Sequence, residues 1–265
     1  MSGASVYTLV TGASNGIGKA FAEECAARGH HVLLVALPEP KLEDVTKALK
    51  KKYPRQSFDH LGVNLMEPDG AKLTFDWCYN KGYKINILIN NAGLGNSGPF
   101  ESMPFSFYHG QMQLNMISLV GLTHSFLPIL KSQEKGFVLN VASIAAFYDV
   151  PYKSIYAASK QFVLSFSRSL NKELEHSNVS VSALCPGGVL TNEDVKQRTQ
   201  ELGLVARKSA LLPEEVAEYT LSQLLKGKQV IVPGRLTRIV KMFGKLMPYN
   251  FQLNLMANQF IKNSR

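Results

Sequence analysis

The chain is poor in the features that staple or anchor a protein. Its three cysteines, Cys25, Cys78 and Cys185, are too few and odd in number for a disulfide framework. No C-x-x-C pair or histidine cluster has metal-ligand spacing, so no metal is expected and a reducing, cytoplasmic setting is. No apolar run approaches the ~18 residues that cross a bilayer. A glycine loop follows Met1 within a dozen residues, leaving no room for a secretory leader. Repeats, low-complexity tracts and linkers are missing too. Acidic residues are absent from one end: none follows Glu218, while Lys226, Lys228, Arg235, Arg238, Lys241, Lys245, Lys262 and Arg265 do. This stretch holds most of the net charge of +9. With no aromatic stacking motif or nucleic-acid module beside it, it reads as a solvated basic face, and no nucleic-acid partner is expected.

What remains is the composition of an ordinary globule, 45% hydrophobic and 18% charged, in a chain long enough to bury a full core. Short β-branched runs, "VYTLV", "HVLLVAL", "FDHLGV", "INILIN", "GFVLNVA", "VSVSAL" and "QVIVP", alternate with helical patterns over 17–28, 41–52, 69–81, 105–131, 153–176 and 214–225. Strands that are apolar on both faces belong in a parallel sheet covered by helices on each side. The alternation predicts an α/β fold, a single doubly wound Rossmann-type sheet of about seven strands. It spans 1–233, and 234–265 forms a C-terminal amphipathic extension packed on it.

The stretch "TLVTGASNGIGKA", Thr8 to Ala20, can be read two ways. As Gly12-Ala-Ser14-Asn-Gly16 it fits the elbow of an α/β hydrolase, whose oxyanion donor comes from an earlier strand–helix loop. Here the loop follows the first strand, so no earlier loop exists. The last histidine, His176, also lies in a polar helix end, "ELEHSN". As a dinucleotide loop, Gly12 makes the tight turn, Gly16 admits phosphate to the backbone, and Gly18 lets the helix pack on the sheet. The second reading is the consistent one.

Further along, "SIYAASK" sets Tyr156 and Lys160 four residues apart on one helical face. An ammonium beside a phenol favours the phenolate, and such a pair can exchange a proton with an alkoxide near neutral pH. Ser143 ends the run "GFVLNVAS", where a strand delivers side chains to the ligand crevice. "LINNAG" ends another strand. Asn115, in "QLNMISL", is a polar side chain among apolar neighbours.

With these residues the sequence resembles the short-chain dehydrogenase/reductase family. The match comprises TGxxxGxG at Thr11–Gly18, NNAG at Asn90–Gly93, the tetrad Asn115, Ser143, Tyr156 and Lys160, and PGxxxT at Pro186–Thr191. The resemblance implies hydride exchange between a nicotinamide and a small-molecule carbonyl or alcohol. It makes Tyr156 the general acid in reduction and the base in oxidation, with Ser143 hydrogen-bonded to the substrate oxygen. Lys160 would lower the Tyr156 pKa and hold the nicotinamide ribose, and Asn115 would bind a relay water. Cofactor contacts fall by the same resemblance on Gly12, Ser14, Asn15, Gly16, Ile17 and Gly18, and on Ala36, Leu37, Asn64 and Leu65. Asn91, Ala92, Gly93, Tyr156, Lys160, Pro186, Gly187, Val189 and Thr191 complete the set.

Two departures bear on the cofactor. Ala36 stands where an acid would bond the ribose of NAD, and Leu37 where an Arg would accommodate the phosphate of NADP. With no carboxylate to repel a phosphate, NADP(H) is favoured and NAD(H) stays open. Asn64 also replaces the usual Asp at the adenine. Residues 192–212 are expected to form a mobile lid, and Leu94, Phe147, Val150, Tyr152, Val189 and Leu190 to wall an apolar pocket for a hydrophobic ketone or alcohol. The competing readings are a dinucleotide-binding regulatory protein without turnover and a membrane-surface reductase of lipid or acyl substrates. A homodimer or homotetramer is expected. In the C-terminal extension, Leu236, Ile239, Val240 and Phe243 form one apolar stripe and Phe251, Leu255 and Ile261 another. Packing on the domain or on a second subunit is favoured over a membrane for both.

Overall fold

The computed structural model describes residues 5–191, 210–244 and 248–261. Seven parallel strands form one sheet in the order β3-β2-β1-β4-β5-β6-β7. They are β1 (Val6–Thr11), β2 (His31–Ala36), β3 (Phe58–Gly62), β4 (Lys84–Asn90), β5 (Gly136–Val141), β6 (Val179–Leu184) and β7 (Val230–Ile231). The helices between them are α1 (Gly16–Ala27), α2 (Pro40–Lys52), α3 (Gly70–Asn80), α4 (Phe105–Met112), α5 (Leu119–Lys131), α6 (Ser154–Glu173) and α7 (Pro213–Leu224). This is the doubly wound sheet that the alternation predicts. Of the segment expected as a lid, 192–209 lie outside the described residues, and Leu211 forms an isolated parallel bridge with Val189.

Neighbouring strand residues face opposite layers, which is why the runs are continuously apolar. Val10, Leu34 and Leu139 face one cluster with Phe21 of α1 and Val216 and Leu224 of α7. Leu9, Leu33 and Val138 face the other with Leu122, Phe126 and Leu130 of α5. Cys25 and Cys78 fill these same clusters as small apolar groups, and burial pushes both thiols up to about 12.

Although no unbroken apolar run is that long, Phe105–Lys131 is a helical stretch long and apolar enough to cross a membrane. Its Leu119, Leu122, Phe126 and Leu130 are buried in the protein, which accounts for its hydropathy. Between α4 and α5 it widens into a π-helical turn at Gln113–Ser118. The run "QVIVP" yields only a two-residue edge strand, β7.

The strand order reverses between β1 and β4, where a crevice opens at the carboxyl ends. Side chains close this point. The Thr11 hydroxyl accepts from the backbone N–H of Asn91 and of Ala92, both at 3.0 Å. Asn91 Nδ2 returns a bond to the Thr11 carbonyl at 2.9 Å. Asn90 donates to Thr123 and Asn140, and Asn140 donates to Ser167 of α6, a buried polar chain running under the crevice.

Two helices follow β7: α8 (Arg235–Gly244) and α9 (Tyr249–Ile261), parted at Pro248. They meet the domain differently from the expected packing of their apolar stripes. In α8 the buried residue is Thr237, 4% exposed, while Ile239 and Val240 stand 48% and 40% exposed. The side chains of Phe243 and Ile261 lie outside the described residues.

The β1–α1 turn makes a direct stability test. A Cβ on Gly18 would lie 2.1 Å from the Gly12 carbonyl oxygen and 2.5 Å from Asn91 Nδ2, whereas one on Gly82 would meet nothing. Gly18→Ala is expected to cost about 1–3 kcal/mol, as overpacking does, and to abolish cofactor binding. Gly82→Ala, strained only by its φ of +68°, should keep binding intact. Thermal melts with and without NADPH measure both, and an unaffected Gly18→Ala protein would refute the close approach.

Candidate active site

Four elements bring their carboxyl ends or inner faces to the crevice: the β1–α1 turn, the β4 end, the β5 end and α6. In the turn, Gly12 and Gly16 take φ of +66° and +53°, a region open to glycine at little cost. Asn15 caps α1, its Oδ1 accepting from Gly16 N at 2.8 Å. No acidic side chain occupies the first turn of α1, so the positive end of its dipole is unopposed there. A Cβ on Gly16 would stand 3.2 Å from Thr191, so the segment after β6 closes against the glycine loop. Ser14 is half-buried beside the loop, and Ile17 packs on the core beneath it.

Tyr156 and Lys160 share the inner face of α6. Gly93 and Gly95 pass over them: a Cβ on Gly93 would lie 3.4 Å from Lys160 Nζ and 3.3 Å from Asn115 Oδ1, and one on Gly95 3.1 Å from the Tyr156 ring. Both glycines are exposed, while Lys160 beneath them is buried. Ser143 ends the β5 segment within hydrogen-bonding reach of Tyr156 and accepts from Ala145 N at 3.1 Å. The structure therefore gathers Asn115, Ser143, Tyr156 and Lys160, from three separate elements, at one crevice.

Burial dominates the electrostatics of the pair. It holds the Tyr156 hydroxyl above its ordinary value of 10, and the bond with Ser143 pulls it the other way. The Lys160 ammonium donates one hydrogen bond to the Val141 carbonyl at 2.8 Å, and its Nζ sits 5.8 Å from the Tyr156 ring centre. Burial brings Lys160 itself from 10.5 down to about 8.

Asn115 lies inside the π-helical turn, a distortion common at functional sites. Its Oδ1 accepts from Leu94 N at 2.9 Å, and its Nδ2 donates to the Leu94 carbonyl and to Ser159. Both amide hydrogens are committed, so a relay water at this residue must bond to an oxygen. Gln111, one turn earlier, donates to the Leu94 carbonyl and to Asn96. Gln111, Ser159 and Gly95 were not singled out from the sequence. Only the i, i+4 spacing of Gln111 and Asn115 could have marked one of them.

Other expected cofactor residues divide. Ala36 is buried and Leu37 is 43% exposed at the β2 end, with no charge at either position. Asn64 is turned on its own loop, accepting from Met66 N and donating to Glu67, because an Asx turn uses the side chain locally. The Leu65 side chain is packed into the core, which leaves its backbone as the part of it that could face a cofactor. Asn91 and Ala92 hold the β1 turn through Thr11, as described above. The Pro186 carbonyl accepts from Ile144 N, Gly187 lies against Thr237 of α8, and Val189 is buried beside its bridge to Leu211. Among the expected pocket walls, Tyr152 adopts a φ of +62°, a strained value for a side chain this bulky. Its carbonyl accepts from Gly98 N. Phe147 lies under the Lys241 ammonium at 4.5 Å.

These residues suit a dinucleotide. The loop offers bare backbone and a helix N-terminus for phosphates, and exposed Gly93 leaves a side-chain-free approach to Lys160.

Comparisons with known proteins agree. Residues 7–202 match the family model described as short chain dehydrogenase. The chain is 31% identical over 245 residues to very-long-chain 3-oxoacyl-CoA reductase-B of Danio rerio, covering 84% of this chain and 76% of that one. It is 29% identical over 220 residues to a 3-oxoacyl-(acyl-carrier-protein) reductase of Aquifex aeolicus, covering 81% and 88%. Among solved structures, a short-chain dehydrogenase from Sphingobium yanoikuyae in complex with NADPH superposes with a TM-score of 0.77 at 28% identity, covering 91% and 93%. A structure described for 7β-hydroxysteroid dehydrogenase stereoselectivity reaches a TM-score of 0.86 at 23% identity, covering 95% and 96%. With the glycine loop, the β4 end and the Ser143–Tyr156–Lys160 cluster in one crevice, the chain belongs to the short-chain dehydrogenase/reductase family of NAD(P)-dependent oxidoreductases.

Proposed function

We propose that the protein reduces the carbonyl of a hydrophobic ketone with NADPH, and that 3-oxoacyl thioesters are the substrate class to try first. The observation that carries this reading is Tyr156. It is a phenol kept protonated by burial, beside the Ser143 hydroxyl and under the side-chain-free backbone of Gly95. The relatives named for 3-oxoacyl reduction support the substrate class. For the cofactor, the absence of a carboxylate at Ala36 and Leu37 favours the phosphorylated form.

In this reading a bound nicotinamide supplies the hydride, and the protein handles the oxygen. Ser143 donates a hydrogen bond to the carbonyl oxygen as negative charge builds on it. Tyr156 then passes its proton to that oxygen. Lys160, charged below about 8, stabilises the phenolate left behind and bonds the ribose hydroxyls. The bond from Asn115 to Leu94 holds the strap that runs across Tyr156. The test is NADPH consumption against a panel of ketones that includes 3-oxoacyl-CoA esters, with NADH run alongside. No turnover of any carbonyl would overturn the reading.

Three outcomes follow from these roles. Tyr156→Phe should keep cofactor affinity and lose at least about 100-fold in kcat, the lower range for a positioned acid. Near-normal turnover would remove Tyr156 from the chemistry.

The second concerns pH. Reduction needs Tyr156 protonated, which burial secures, and Lys160 charged, which ends near its value of about 8. The rate of reduction should therefore be level at neutral pH and fall as pH rises past about 8. Lys160→Met should lose that limb together with most of the rate. The same substitution removes a buried charge, so the cofactor-free variant should melt higher, by about 2–4 °C for each kcal/mol relieved. A lower melting temperature would show that the ammonium is a net structural support.

Third, Leu37→Arg should raise the NADPH to NADH ratio of kcat/KM about tenfold or more, because a guanidinium pairs with a phosphate through charge-assisted bonds. An unmoved ratio would place the phosphate away from the β2 end.

A further inference from the structure

The C-terminal helices leave an apolar surface uncovered, and its charge is of one sign. In α8, Ile239, Val240 and Met242 are 48%, 40% and 58% exposed, with Arg235 and Arg238 exposed beside them. In α9, Tyr249, Phe251 and Leu255 are 60%, 60% and 40% exposed. The helices are held from behind. Thr237 presses on Gly187, the Tyr148 hydroxyl donates to the Val240 carbonyl at 2.8 Å, and the Tyr249 hydroxyl donates to Asp149 at 3.0 Å. These contacts fix the orientation of the surface without covering it. From Tyr219 onward the sequence has eight basic residues and no acidic one.

We infer that this face docks the enzyme on an anionic lipid bilayer, with the large apolar side chains entering the headgroup boundary and the basic ones pairing with lipid phosphates. Apolar side chains flanked by Arg and Lys on a helix are what an interfacial helix presents to such a surface. Charge decides between a bilayer and a second copy of this chain. A two-fold interface sets a patch against itself, and here that would bring the Arg235 and Arg238 guanidinium groups of α8 together with no carboxylate on either helix to compensate. An anionic bilayer supplies the opposite charge in excess. The buried face of α8 touches Gly187, in the segment that continues to Thr191 and the glycine loop, so the docking helix is joined to the wall of the site. Docking itself stands independently of which carbonyl is reduced.

The test is flotation of the full-length protein with vesicles of phosphatidylcholine, with and without phosphatidylglycerol. The protein should float with the anionic vesicles, stay behind with the neutral ones, and be released as salt screens the attraction. The triple variant Arg235→Glu, Ile239→Ser, Met242→Ser changes only exposed side chains. It should lose at least about tenfold in vesicle partitioning, with its melting temperature and NADPH affinity in vesicle-free buffer unchanged. Failure of the full-length protein to float with anionic vesicles, or equal flotation of the variant, would overturn the proposal. So would a vesicle-free dimer, seen by sedimentation velocity, that the same variant splits into monomers. Because melting and NADPH binding are the integrity controls, failure to reduce any ketone would leave this result readable.

Discussion

The structure depends on how closely the β1–α1 turn approaches the end of β4. Gly18 lies so near the Gly12 carbonyl that no side chain fits, and Asn91 reaches across to the carbonyls of Thr11 and Gly12. The Thr11 hydroxyl completes the contact by taking two N–H groups from the β4 end. These bonds span about 80 residues of sequence, and they join the two strands at which the sheet reverses direction. Without them the amino end of α1 would not face the same space as Gly93. That shared space is the crevice, so the sheet order and the cofactor cradle have one physical origin.

The second constraint is a charge placed where the protein would not choose it for stability. Lys160 is buried, and its ammonium donates to the Val141 carbonyl. Desolvation disfavours an ammonium there, which its depression to about 8 records. Beneath it the buried chain Asn90–Asn140–Ser167 ties β4, β5 and α6 in fixed register. Val141, the next residue on β5, receives Lys160. One strand therefore holds α6 at two adjacent positions, which leaves Tyr156 and Lys160 little freedom to shift. A satisfied polar network of this kind specifies geometry as well as adding stability.

Much of the site was legible because its motifs sit at strand ends. Parallel strands all point their carboxyl ends the same way, so residues ending "VT", "INN" and "NVAS" must converge whatever the strand order. Helical spacing put Tyr156 and Lys160 on one face, and the motifs at the strand ends made that pair more than a buried ring beside a lysine. Spacing could not show how deeply both groups are buried or that Lys160 donates to the Val141 carbonyl, because neither is encoded locally. Asn64 and Leu65 were assigned by position in a motif, and only the structure shows that the Asn64 side chain bonds within its own turn and the Leu65 side chain enters the core.

The amino-acid sequence by itself determined the layer architecture, the glycine turn and the set of reactive side chains. Each of these follows from local periodicity or from backbone that only glycine allows. Tertiary structure alone decided which oxygen Lys160 bonds and how Asn115 is spent on Leu94. It also decided which side of α8 is buried. The apolar stripe of α8 predicts packing on the domain or on a second subunit, and within this chain Gly187, Tyr148 and Phe147 engage Thr237, the Val240 carbonyl and Lys241. An amphipathic pattern states that a face prefers to leave water. What covers that face depends on the surfaces the rest of the fold brings beside it.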